Sequence, residues 1–417
     1  MTRGIYFGID LHGHVNPTLG LMRELTDRGE QIRYYTGEQF RERVEATGAE
    51  FAAYRTPLGF GTTDGGGIET LLVTAEFILE RSLAIVDSML EEVRDFAPDY
   101  IVHDTFCYWG KELAARLHVP AISLFNYFAY IDEMADVDPE FFMEYVLRAG
   151  NDPLYTKYKG KTDVYRRLEA KVSQIIAMKY GIRTPQIIND IFCSKEKLNL
   201  VSTSREFQVY DESFDDSYVH TGFAIEPRAE PDDFPFDWLD GRPLVYIALG
   251  TIFNDAEAFY AKCLEAFKSS DVQIAMSIGH HVSPERLGPL PENVIVRPSM
   301  PQLALLRRAT AFVTHGGVNS IHESLCNEVP TVVVPKSFDQ FIGAISVEQS
   351  GTGIYLRGEE WLPSELAEAV RRVMTEPSFR EASRYIHQTL EAAGGPSRGA
   401  DAILAFAAAE RGEALTS

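Results

Sequence analysis

Short β-rich runs alternate with amphipathic stretches along this chain, and the alternation occurs twice. That pattern restricts the fold more than any other feature. Ile5–Ile9 leads to a helical pattern from Pro17 to about Arg28, and Ile32–Thr36 leads to one that ends near Gly48. Tyr100–His103 is followed by a helix from about Trp109 to Leu117 and then by a strand at Ala121–Phe125. Strands separated by helices pack as right-handed βαβ units around a parallel sheet. Between Asn126 and about Ser194 aromatics, acids and helical stretches mix without a clear β run, which predicts a helical insertion. Strands at Leu198–Thr203 and Tyr218–Thr221 close this first domain.

Gly222 to Asp240 then carries Pro227, Pro231 and Pro235 with six acids, a composition suited to a solvated, semi-stiff linker. The alternation restarts at Leu244–Leu249 and continues through Val272–Ile278, Val294–Val296, Ala311–Thr314 and Thr331–Val334, before a helical pattern from Pro363 to about Arg411. The expected domains are residues 1–222, a linker over 223–241, a second domain over 242–380 and a helical tail over 381–417. Two doubly wound α/β domains should leave a cleft at the C-terminal ends of their strands, where such sheets take ligands.

Composition narrows the ligand class. Of 417 residues 45% are apolar, with 25 Phe and 19 Tyr, enough for sizeable cores. The formal net charge of −22 repels phosphate backbones and anionic lipid, although a local pocket can still oppose that field. Nucleic-acid and stable membrane partners are therefore not expected. Cys107, Cys193, Cys263 and Cys326 lie far apart and make no metal or disulfide pattern. The first residues read as a strand rather than a signal peptide, and no apolar run approaches the ~18 residues of a membrane helix. A cytoplasmic protein is the expectation.

The densest chemical signal is Thr314-His315-Gly316-Gly317-Val318-Asn319-Ser320-Ile321-His322-Glu323. It combines a strand end, a paired-glycine turn and the start of a helix. Gly316 and Gly317 allow positive φ and close approach of a ligand to the backbone. The helix start offers amides at the positive end of its dipole, a site for phosphate. Paired glycines before a helix are often plain punctuation, and this run matches neither G-x-x-x-x-G-K-[ST] nor G-x-G-x-x-G. Its neighbourhood adds weight: Pro301-Gln302 lies upstream, Glu323 one helical turn beyond Ser320, and Asp339-Gln340 after the strand Thr331–Val334.

In that order and spacing, Ser299-Met300-Pro301-Gln302, Thr314 to Glu323 and Asp339-Gln340 resemble the donor-binding domain of nucleotide-sugar-dependent glycosyltransferases of GT-B architecture, above all the bacterial macrolide-type UDP-glycosyltransferases. The resemblance implies that His315, Gly316 and Gly317 hold a diphosphate, with Asn319 and Ser320 on the α-phosphate and Thr251 reaching the phosphates. Glu323 would accept hydrogen bonds from ribose, and Asp339 and Gln340 would bind sugar hydroxyls. Met300 and Gln302 would complete the donor side. Ser299 stands where many relatives carry a tryptophan that stacks on uracil, which moves the base contact to Pro298, Arg297 or the Met300 backbone.

The first half has Asp10-Leu11-His12-Gly13-His14-Val15-Asn16-Pro17 after its first strand. Transfer to a hydroxyl needs a base near neutral pH, and imidazole oriented by a carboxylate suits it. His103-Asp104 ends another strand. By the resemblance, Gly13 to Pro17 matches the motif that carries the base, which makes His14 the base and Asp104 its partner. His12 is the nearest rival, and Asp10 is equally well read as a turn or cap residue. Tyr108, Trp109, Phe125, Tyr127, Phe128, Tyr130, Phe141, Phe142 and Tyr145 cluster where the pattern turns irregular. Most aromatics are core residues, but together with Phe60 and Phe77 this set suggests a broad apolar acceptor pocket. Tyr108, Trp109, Tyr127, Phe128 and Phe141 are its leading members. Gly65-Gly66-Gly67 gives a loop freedom rather than a phosphate cradle. Asp136-Val137-Asp138 formally matches the D-x-D metal signature, yet its place before Pro139 reads as a surface turn.

The expectation is a two-domain enzyme that needs no metal or cofactor, with a UDP-sugar as co-substrate. It would transfer a hexose, with glucose foremost, to a hydroxyl of a hydrophobic small molecule such as a macrolide, flavonoid or other polyketide, with inversion. The rivals are a dTDP-deoxysugar transferase of antibiotic biosynthesis, a nucleotide-sugar epimerase of the same fold and a non-catalytic nucleotide-sugar binder.

Overall fold

A computed structural model describes the chain except Met1, Pro57, residues 59–67, Asn151, residues 160–163, Thr184, Pro185, Asp232, residues 251–253, Ser269, Ser337, Glu359 and residues 415–417, together with the side chains at 68–70, 154, 158, 338, 413 and 414. It contains two parallel sheets. The first has seven strands: β1 (Arg3–Phe7), β2 (Gln31–Thr36), β3 (Glu50–Ala53), β4 (Tyr100–Asp104), β5 (Ala121–Phe125), β6 (Leu198–Val201) and β7 (Tyr218–His220), in the order β3-β2-β1-β4-β5-β6-β7. The second has six: β8 (Leu244–Ala248), β9 (Gln273–Ser277), β10 (Val294–Arg297), β11 (Ala311–Thr314), β12 (Thr331–Val333) and β13 (Gly353–Tyr355), in the order β10-β9-β8-β11-β12-β13. These are two Rossmann-like α/β units.

Alternation along β1 shows why each sheet is covered on both faces. Tyr6 packs with Tyr34, Val102 and Leu124 under the helix Leu19–Asp27. Ile5 and Phe7 point the other way, onto the helices Ile68–Phe96 and Tyr108–Leu117 through Val86, Met89, Val93 and Leu113. In the second unit, Val245 and Ile247 face one core while Leu244 and Tyr246 face the other. A strand buried on both faces carries apolar residues at successive positions, which is how β8 reads, and β5 apart from Ser123.

β3 and β13 are strands that the sequence pattern did not mark. Glu50–Ala53 and Gly353–Tyr355 are short edge strands with one-sided burial, too brief to show a period. The helical insertion between β5 and β6 is present, with Val164–Tyr180 as its longest helix.

The chain divides into one compact unit of Met1–Glu226 with Leu390–Ser417 and another of Pro227–Thr389. The expected C-terminal tail thus splits. The helix Pro377–Ala392 begins in the second unit, while Gly395–Ala414 lies on the first, its Ala400, Ile403 and Ala407 packed against Leu21, Leu25 and Leu200. Nor is 223–241 simply solvated: Phe234 is buried with Tyr246, Met300 and Phe312, and Phe236 and Trp238 pack beside it. Among the described residues no helix is long and apolar enough to cross a membrane.

Candidate active site

In each unit the strand order reverses between two neighbours, β1 and β4 in the first sheet, β8 and β11 in the second. Helices leaving such a pair go to opposite faces, so the C-terminal edge opens there and ligands bind in the opening. His14 and Asp104 of the first unit and His315 to Gly317 of the second stand at these two places.

In the first unit β1 pairs with β4 so that Phe7 lies beside His103, and both chains then leave the sheet. After β1 comes the short helix His12–Val15, and after β4 comes Thr105. The helix sets His14 Nδ1 2.7 Å from Asp104 Oδ2, across 90 residues of sequence. Asp104 is fully buried, whereas the His14 side chain keeps 14% exposure. Three groups complete the carboxylate. The Phe106 amide donates to Oδ1 at 3.0 Å, the Asn126 side chain donates to Oδ2 at 2.8 Å, and the Thr105 hydroxyl reaches Oδ1 at 3.5 Å.

Burial alone would raise the Asp104 carboxyl. The adjacent His14 charge and hydrogen bond, the Phe106 amide and the Asn126 amide outweigh it and hold the carboxyl below its ordinary value. An ionised carboxylate only accepts, so Nδ1 carries the imidazole proton and Nε2 presents its lone pair. His12 is exposed, and its ring meets Phe40 edge-on at 4.9 Å.

Only some of the expected aromatic wall surrounds His14. Tyr127 approaches its ring at 5.7 Å and hydrogen-bonds Thr105. Trp109 belongs instead to the core around Phe7 and donates to the Tyr54 hydroxyl at 3.3 Å. Phe128 packs on Phe207, Phe141 on Tyr210 at 4.7 Å, and Tyr108 is buried at the start of its helix. Phe77 lies under Arg81, while Phe60 and the glycines at 65–67 fall outside the described residues. Asp136 pairs with Arg166, and Asp138 caps the turn Pro139–Phe141, so both members of the D-x-D run have structural duties. Two neighbours that the sequence did not single out are Phe106, 5.5 Å from the His14 ring and stacked on Tyr127, and Asn126. Asn126 directly follows β5, and that position was its only signal.

In the second unit β11 ends at Thr314 and the helix Val318–Leu325 begins three residues after His315. Gly316 has φ +92°, and a Cβ there would lie 2.9 Å from the Gln340 carbonyl oxygen and 2.7 Å from Val333 Cγ1. Glycine alone fits this turn. A Cβ on Gly317 or Gly250 would meet the His315 ring, at 2.6 and 2.7 Å respectively. Backbone after β8 and backbone of the turn itself therefore close around His315. Its burial pushes the imidazole from 6.5 down to about 4, so the ring is neutral at working pH and can donate from one nitrogen. The amides of Asn319 and Ser320 lie in the first helical turn, where backbone donors lack intrahelical partners.

Glu323 is buried and accepts from Gln302 Nε2 at 2.7 Å. Gln302 in turn takes the Tyr246 hydroxyl at 3.3 Å, a second contact the sequence did not indicate. Met300 is core. Asp339 is half-buried in the first turn of Phe338–Gln349, and Gln340 is buried with its Oε1 accepting the Lys336 amide at 2.8 Å. Thr251 lies outside the described residues.

Residues 261–405 match the family model described as erythromycin biosynthesis protein CIII-like, C-terminal domain. The chain is 37% identical over 409 residues to a Bacillus subtilis protein named as an uncharacterized UDP-glucosyltransferase, YojK, covering 97% of each. It is 31% identical to the oleandomycin glycosyltransferase of Streptomyces antibioticus, over 95% of this chain and 89% of that one. The crystal structure of CalG4, the calicheamicin glycosyltransferase, superposes with a TM-score of 0.74 at 28% identity over 97% of this chain and 98% of that one. The chain belongs to the GT-B glycosyltransferase family of these bacterial UDP-glucosyltransferases and macrolide glycosyltransferases.

Proposed function

We propose that the enzyme transfers a hexosyl unit, with glucose foremost, from a UDP-sugar to a hydroxyl of a hydrophobic small molecule of polyketide, macrolide or phenolic type. The observation that carries this reading is the His14–Asp104 pair, with an ionised carboxylate on Nδ1. His14 Nε2 takes the acceptor proton as the oxygen attacks the anomeric carbon from the face opposite the leaving UDP. The C1–O bond to phosphate breaks, and an α-linked donor gives a β-glycoside. Asp104 steadies the imidazolium that forms.

On the donor side, the first-turn amides of Val318–Leu325 and the neutral His315 ring accept the diphosphate and spread its charge as it departs. Glu323 takes ribose hydroxyls, and Asp339 and Gln340 take the sugar. Tyr127 and Phe106 offer apolar surface to the acceptor beside His14.

The test is mass spectrometry of the full chain with UDP-glucose, a panel of phenols, flavonoids and macrolides, and a chelator. One acceptor should gain a hexosyl unit as UDP appears in step. Product that requires added metal overturns the charge-spreading role given to His315 and the helix. UDP appearing without any acceptor refutes the transferase assignment in favour of donor-only chemistry. If UDP-glucose neither binds nor reacts, the dTDP-sugar reading replaces this one, and the exposed Ser299 is the observation that favours it.

A further inference from the structure

Glu323 is not held by Gln302 alone. The guanidinium of Arg228 forks onto both of its oxygens, Nη1 pairing with Oε1 and Nη2 lying 2.9 Å from Oε2. The Glu323 side chain is 4% exposed and that of Arg228 22%. Arg228 comes from the stretch before β8 that composition alone reads as a solvated linker.

That stretch is tied along the nucleotide edge of the second unit. Glu230 accepts from the amides of Leu303 and Ala304 at 2.8 and 3.2 Å, capping the helix Gln302–Leu306. Asp233 takes Arg297 at 2.6 Å, and Phe234 is buried beside Met300 and Leu305. Anchors on its C-terminal side thus hold Arg228 in place, unlike a cation that wanders on the rim.

A carboxylate this deep needs a counter-charge, the more so when a diphosphate binds near it. A planar fork supplies that charge and fixes the plane of the carboxylate. It uses one lone pair on each oxygen; with Gln302 on the second lone pair of Oε2, that of Oε1 is left for a hydroxyl donor. We propose that Arg228 is a positioning residue of the ribose site, whose fork holds the Glu323 carboxylate in plane and aimed, so that a residue outside the recognised motif sets the preference for ribo- over 2′-deoxyribonucleoside diphosphates. This rests on the reading of Glu323 as the ribose acceptor.

Calorimetry of the full chain with UDP and with 2′-deoxy-UDP tests both layers, each variant being checked by thermal unfolding. The natural protein should prefer UDP by roughly tenfold or more, the worth of a hydrogen bond to a charged group. Glu323→Gln should abolish the preference. Arg228→Gln should also collapse it toward equal binding, and Arg228→Lys, which keeps the charge but loses the fork, should fall between. If the preference is absent from the natural protein or survives Glu323→Gln, the ribose reading itself is wrong. If it disappears in Glu323→Gln yet persists in folded Arg228→Gln, or both nucleotides weaken there by the same factor, the role given to Arg228 is overturned and the ribose reading stands. Should Arg228→Gln fail to fold, Arg228→Lys decides, and a preference equal to the natural one overturns the proposal.

Discussion

The His14 cluster and the His315 turn both sit where strand order reverses, yet they are built in opposite ways. His14 depends on side chains drawn from remote parts of the chain: Asp104, Phe106, Asn126 and Tyr127. The second site is largely one continuous run, Thr314 to Glu323, in which backbone and glycine do most of the work. A base needs a tuned proton affinity and therefore side-chain partners. A diphosphate needs several fixed donors, which a helix start supplies without titrating. The two histidines express the same split, since one is oriented by an ionised carboxylate and the other is held neutral near pH 7 by its burial.

That contrast can be broken most directly at His14. His14→Ala should lower kcat by roughly 10²–10⁴, the usual worth of a positioned base, with UDP affinity measured by calorimetry almost unchanged. Unchanged turnover would move the base to His12 or elsewhere.

Gly316→Ala attacks the other site through its backbone. The strained φ and the approach to the Gln340 carbonyl should cost about 1–3 kcal/mol of stability and weaken UDP as well as UDP-sugar. A variant with the natural melting temperature and UDP affinity would show that the turn tolerates a Cβ.

Asp339→Ala is a finer probe. It should raise the Kd of UDP-glucose several-fold, in keeping with the loss of roughly 1 kcal/mol from one hydrogen bond, and spare UDP. Equal loss for both ligands would mean that Asp339 does not touch the sugar.

The smallest expected effect is none at all. Because His315 titrates at about 4, KM for UDP-glucose should stay level from about pH 5.5 to 8. A step in that range would show a charged donor at the phosphates. Stability should behave differently. His220, His315 and His322 are all pushed from 6.5 to about 4 by burial. The unfolded chain then takes up protons that the folded chain refuses, so stability drops as pH falls from 6.5 toward 4 and this contribution flattens below. Urea titrations at several pH values would register it.

What could be read in advance follows the same contrast. The paired glycines, Asn319, Ser320 and Glu323 stand in one run, so the turn and its helix were visible directly. The two sheets were legible because most of their strands carry apolar runs with helical periods between them. β3 and β13 were not, being edge strands of four and three residues. Asp104 could be suspected from a strand end, but Asn126 and Phe106 become neighbours of His14 only through the register of β1, β4 and β5. The aromatic cluster was over-read because composition does not separate Trp109, which fills a core, from Tyr127, which faces His14. Arg228 was hidden for a related reason: prolines and acids suggested a tether, while its partner lies 95 residues away.

The helix Gly395–Ala414 carries a consequence for biosynthesis. It supplies Ala400, Ile403 and Ala407 to a core otherwise built from residues before 226. A ribosome therefore releases the entire second unit before the first can cover the apolar side of Leu19–Asp27. During translation that side stays open to chaperones or to stray chains, while Pro227–Thr389, contiguous in sequence, already holds everything its own core requires. A stop codon placed before Gly395 would accordingly damage the unit made first and spare the one made last.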